Sequence, residues 1–167
     1  MVYCHYKKGK TQYFGVYLCL EQGERNNKNM GIGFVKEYVD LKFIEVNVDV
    51  AYYQEGKLSW DTLKGIIDTG CGRTSILEDK AKELGLKVIR EETYSSASSG
   101  ENNGYIYQMN EMVIENKIHV LSCEIGSMKG TVDGIQMLIG TDILKKCNIT
   151  LEPNGEKVRF IMNFNGN

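Results

Sequence analysis

The sequence predicts a mainly β domain, closed as a barrel or stacked as a sandwich, with one or two short helices. Three observations carry this. Apolar and polar residues alternate in short runs, most clearly where Ile44, Val46, Val48 and Val50 are set between Glu45, Asn47 and Asp49; that period of two belongs to a half-buried strand. Turn-forming groups such as Gln54-Glu55-Gly56-Lys57 and Pro153-Asn154-Gly155 punctuate the runs. A clear helical start and stop is carried by a single segment, near Ser75 to Gly85.

Size and charge narrow the function classes. A chain of 167 residues, 42% apolar and 25% charged, fits one domain with a sizeable core. Twenty basic against twenty-two acidic residues give a formal charge of −2. That balance excludes a strongly basic nucleic-acid binder and an acidic solvating tail. Apolar runs such as Met137-Leu138-Ile139 are too short to span a bilayer, and Met1 to Lys8 lacks the apolar stretch of a signal peptide. A cytoplasmic protein with no membrane or nucleic-acid partner is expected. Five cysteines (Cys4, Cys19, Cys71, Cys123, Cys147), with no C-x-x-C spacing, suit a reducing compartment in which thiols serve as small apolar residues. With only His5 and His119 as imidazoles, no spaced ligand set emerges, and neither metal nor cofactor is expected. Gly31-Ile32-Gly33 lacks the third glycine and the strand–helix context of a dinucleotide loop.

Residues 1–40 read as an extension of unassigned role, with a strand over 13–20 and a polar loop over 21–29; residues 41–167 read as the domain, compact with the extension. A strand from Phe43 to Val50 turns at 54–57, and a second leads back through Leu63-Lys64-Gly65-Ile66-Ile67 to Asp68-Thr69-Gly70. Ser75 and Glu78 have capping-box spacing ahead of a helix from Leu77 to Leu84, and Gly85 is placed to end it. Residues 95–104 are small and polar throughout, which predicts a loop or hairpin tip. Strands follow over 105–114 and 117–125, then a short apolar strand at 137–139. Thr141 is placed to cap a helical turn through Lys146. A closing hairpin pairs 148–152 with 156–162.

Asp68-Thr69-Gly70 carries the chemistry. A carboxylate at the end of an apolar strand is costly unless donors hold it. Thr69 offers a hydroxyl, and Gly70 an unobstructed backbone whose N–H a tight turn can bring to that carboxylate. The tripeptide alone also suits an ordinary Asx turn. About seventy residues on lies a second segment, Leu138-Ile139-Gly140-Thr141-Asp142-Ile143-Leu144. A helix, the small-residue loop and paired strands lie between the two.

In the order and spacing of apolar-apolar-Asp68-Thr69-Gly70-Cys71, the glycine-bearing loop and Leu138-Ile139-Gly140-x-Asp142-Ile143-Leu144, the chain resembles the retropepsin-like aspartic proteases over roughly residues 43–163. The resemblance implies a single-lobe acid-protease barrel and peptide-bond hydrolysis of a peptide or protein substrate. It assigns Asp68 as catalytic, and Thr69, Gly70 and Cys71 as its support. The loop containing Ser98, Ser99, Gly100 and Gly104 would be a flap over substrate, and Arg73, Gly140 and Asp142 structural residues. Such chemistry takes two aspartates, and 167 residues with one Asp-Thr-Gly do not hold two lobes; Asp61-Thr62 is followed by Leu63. The resemblance therefore implies a homodimer with Asp68 from each chain. Where family members often carry an acidic residue and an arginine that pair, this chain has Gly72 and Thr141. Arg73 and Asp142, each one position on, are expected to form an exchanged ion pair.

Two other readings compete with this one. A thiol protease would set Cys71 or Cys123 against His119, but no local signature supports it, and Cys123 alternates with Leu121 and Ile125 as a core residue would. A catalytically inactive binding or dimerisation module of the same fold would keep Asp68 only as a turn-stabilising carboxylate.

Overall fold

A computed structural model describes residues 32–39, 42–96, 100–130 and 134–165. The strand and loop expected over 13–29 lie outside the described residues. Among the described residues, ten strands and two short helices follow in chain order. These are β1 (Gly33–Tyr38), β2 (Glu45–Gln54), β3 (Lys57–Ile67), β4 (Ser75–Leu77), α1 (Glu78–Glu83), β5 (Val88–Ser96), β6 (Gly100–Ile114), β7 (Ile118–Met128), β8 (Met137–Ile139), α2 (Thr141–Leu144), β9 (Cys147–Asn154) and β10 (Lys157–Phe164). The mainly β expectation holds, in its closed form.

The larger sheet runs β2-β3-β8-β4-β7-β6-β5, and β2 also pairs with β6 from Val48↔Ile114 to Ala51↔Glu111. That pairing closes six strands into a barrel and leaves β5 outside the ring, hydrogen-bonded along its backbone to β6. The alternation of β2 supplies one wall: Val46, Val48 and Val50 are buried against Leu63, Ile114 and Met112 in a single apolar core. β2 and β3 form a hairpin with a two-residue turn. Glu55 and Gly56 both have positive φ, 51° and 77°, which matches the right-handed twist of the strands.

A smaller sheet, β1-β10-β9, packs on this barrel. Phe34 of β1 meets Phe160 of β10 with ring centroids 5.8 Å apart, and Phe160, Met162 and Phe164 belong to the common core. Residues 33–38, placed by the sequence in the extension, thus complete a sheet of the domain. β5 and β1 escaped the sequence reading, because Val88 to Ser96 and Gly33 to Tyr38 have no clean apolar alternation. Pro153 is accommodated because β9 ends the sheet order among the described residues.

The helices depart from expectation at their starts. α1 begins at Glu78, with Leu77 as N-cap and no side-chain cap. Ser75 is still in β4, paired with Gly126 of β7, and its hydroxyl donates to the Arg73 carbonyl, so no capping box forms. Lys80 reaches back to Asp61 of β3 at 2.8 Å and pins α1 to the barrel. Thr141 likewise does not cap α2: Gly140 is the N-cap, and the Thr141 hydroxyl donates to the Gly72 carbonyl at 3.3 Å.

Candidate active site

The two segments singled out in the sequence leave the barrel side by side. β3 and β8 are parallel, with Ile66↔Leu138 and Ile67↔Ile139 in register. At their ends the Asp68 N–H donates to the Ile139 carbonyl at 3.0 Å, while β8 runs on into Gly140. Asp68 is half-buried; Thr69 and Gly70 are exposed. The Gly70 N–H donates to Asp68 Oδ1 at 2.9 Å, and the Cys71 N–H to the Asp68 carbonyl at 3.2 Å. A Cβ on Gly70 would sit 3.2 Å from that same Oδ1. The turn therefore presents the carboxylate at the barrel mouth on a backbone donor. Cys71 is half-buried and its thiol donates to the Arg73 carbonyl.

A bracket of hydrogen bonds locks the loop after Asp68 to the β8–α2 turn. The Thr141 N–H donates to the Cys71 carbonyl at 2.8 Å. Thr74, fully buried, gives both its N–H (2.9 Å) and its hydroxyl (2.8 Å) to Asp142 Oδ1, and its hydroxyl accepts the Gly140 N–H at 3.0 Å. Ile143 N–H is a third donor to that oxygen at 3.0 Å. Gly140 is required by space: a Cβ there would lie 2.5 Å from the Arg73 carbonyl carbon and 2.7 Å from the Thr74 nitrogen.

The ion pair expected between Arg73 and Asp142 is not what forms. Asp142 spends Oδ1 on Thr74 and Ile143, whereas Arg73 turns away and pairs with Glu92 of β5 at 2.6 Å. The physical reason is local: Thr74, the neighbour of Arg73, already offers two donors to that carboxylate without bending a long side chain. The Arg73 guanidinium holds the Glu92 carboxyl below its ordinary range, with Arg90 adding to the effect.

Of the flap residues named from sequence, Ser98 and Ser99 lie outside the described residues. Gly100 opens β6 with φ 70° and is exposed. Gly104 is buried, with Ser127 Oγ 2.4 Å and the Tyr94 ring 2.7 Å from where a Cβ would stand. Ile139 is fully buried in the core; half-buried Ile66 and Leu138 stand beside each other one residue earlier in register. His119 pairs with Glu111 at 3.0 Å on the outer barrel face, and Cys123 packs against the core. Thr74 and Glu92 were missed by the sequence reading. Only the proximity of segments far apart in the chain reveals them.

Comparison with known proteins agrees with this geometry. The family model described as aspartyl protease matches residues 54–143, just over half of the chain, from the β2–β3 turn into α2. No curated protein matches. Among solved structures, a retropepsin-like aspartic protease from Rickettsia conorii superposes with a TM-score of 0.50 at 16% identity, covering 83% of this chain and 99% of that one. The fold is retropepsin-like, and the chain belongs to the aspartyl protease family.

Proposed function

We propose that the protein is an endopeptidase working as a homodimer, with Asp68 of each chain forming one catalytic pair. The observation that carries this is the backbone-held Asp68 carboxylate, one per chain, at the open end of two parallel strands. Two such carboxylates across a two-fold axis share one proton and hold a water. The ionised member takes a proton from that water as its oxygen bonds to the peptide carbonyl carbon. The protonated member gives its proton to the carbonyl oxygen, which leaves a neutral diol. The first then protonates the amide nitrogen, the second recovers a proton from a diol hydroxyl, and the C–N bond breaks to acid and amine. Thr69 and Gly70 support the pair, and the β5–β6 hairpin offers backbone to an extended substrate.

The test joins mass with activity. Light scattering of the 18.9 kDa chain should give about twice that mass, and a peptide library should be cut by the parent but not by Asp68→Asn. Equal cleavage by Asp68→Asn would sink the mechanism. A monomer at high concentration, without cleavage, would favour a binding module of the same fold.

A further inference from the structure

The loop carrying Asp68 and the β5–β6 hairpin are joined by a run of alternating charges that the hydrolytic chemistry itself does not use. Arg73 has a fixed backbone. Its carbonyl accepts from Cys71 and Ser75, and Gly140 packs against it without a side chain. Its side-chain stem passes over Gly126 of β7, where a Cβ would lie 3.7 Å from Arg73 Cδ. That is ordinary contact distance, so the stem lies against the β7 backbone at Gly126. The guanidinium ends 2.6 Å from Glu92 Oε2 on β5. Arg90 Nη2 approaches the same oxygen at 3.4 Å, and Arg90 Nη1 pairs with Glu124 of β7 at 2.8 Å.

β5 needs such a tie. It lies outside the barrel ring, at the end of the sheet order, with β6 as its backbone partner. Glu92 sits in register with Gly104, so the tie acts at the level where the hairpin crosses toward Ser127. An ion pair this exposed adds little to global stability. Its geometry instead sets where the hairpin stands relative to the loop that bears Asp68.

We propose that Arg73 and Glu92 are positioning residues for substrate: their pair holds the β5–β6 hairpin in the one placement that lets it and the Asp68 loop engage an extended peptide together. This rests on the endopeptidase reading. Arg73 and Glu92 touch no reacting atom, so they affect binding more than turnover.

The test uses Arg73→Gln, Glu92→Gln and the double variant, with two readouts. Amide hydrogen exchange over residues 90–94 and 103–106, without substrate, should accelerate about two- to fivefold in each single variant, the range that one exposed pair accounts for. KM for a cleaved peptide should rise about as much while kcat stays within about twofold. The double variant should be no worse than Glu92→Gln, which already removes the Arg73 pair together with the longer contact to Arg90. Unchanged exchange and KM in Glu92→Gln, or single effects that multiply in the double variant, would overturn the positioning role while leaving the endopeptidase intact. A parent that neither cleaves nor binds peptide overturns the endopeptidase reading, and with it the role in substrate binding; the exchange data then report a structural tie alone.

Discussion

Thr74 and Asp142 are 68 positions apart in the chain, yet the Thr74 hydroxyl donates to Asp142 Oδ1 at 2.8 Å. That contact, with the Gly140 N–H donated back to the same hydroxyl, welds the two halves of the candidate site. It occupies the place where an ion pair was expected, with a buried neutral donor in place of a long cation.

Thr74→Val keeps the shape and removes the hydroxyl, so the Gly140 N–H loses its acceptor and Asp142 loses one of three donors. A loss of about 2 kcal/mol is expected, in the range for a buried group left unpaired. Urea denaturation would read it as a lowered midpoint with an unchanged slope. A midpoint equal to the parent's would show that the weld carries no stability.

Gly140→Ala places a methyl group 2.5 Å from backbone of the opposite loop, which cannot rotate away. About 3 kcal/mol of destabilisation is expected from forced backbone movement. A thermal melt within a degree of the parent would contradict the packing described.

Mixing tests the paired site directly. When parent and Asp68→Asn chains are mixed in equal amounts and allowed to exchange, about one quarter of dimers carry two Asp68 residues. Specific activity per total chain should fall to about one quarter of the parent's. A value of one half would mean that each chain cleaves independently.

Two half-buried thiols set a pH dependence. Burial pushes Cys123 up to about 12 and Cys147 up to about 11. Well below pH 9 both are almost wholly protonated whether folded or not, so they leave stability nearly untouched. Above pH 9 the unfolded thiols ionise while the folded ones do not, and stability is lost as pH rises. At pH 8, alkylation by iodoacetamide should be at least tenfold slower in the native protein than in urea at both thiols, and slower at Cys123 than at Cys147. Peptide mass spectrometry after timed quenching gives both rates. Equal native and denatured rates at Cys123 would remove its burial.

The legible parts of the sequence were those governed by neighbours. The alternation of Val46, Val48 and Val50 announced a strand because a strand's two faces meet different solvents every second residue. The turn at 54–57 was readable from Gly56, which takes its positive φ without steric cost; Glu55, at φ 51°, follows from the geometry of the two-residue turn. Ser75 misled because capping-box spacing is only a local pattern, whereas parallel pairing with β7 holds that residue in a strand.

The sequence by itself determined a mainly β chain, a carboxylate at the end of an apolar strand and a second glycine-containing segment suited to stand near it. Only the tertiary structure decided what holds that site. The parallel pairing of β3 with β8, the Thr74–Asp142 weld, the turn of Arg73 toward Glu92 and the completion of a second sheet by β1 all join residues remote in the chain. Each of these is won by the partner that comes nearest once the barrel closes, and the local pattern of residues carries no record of that competition.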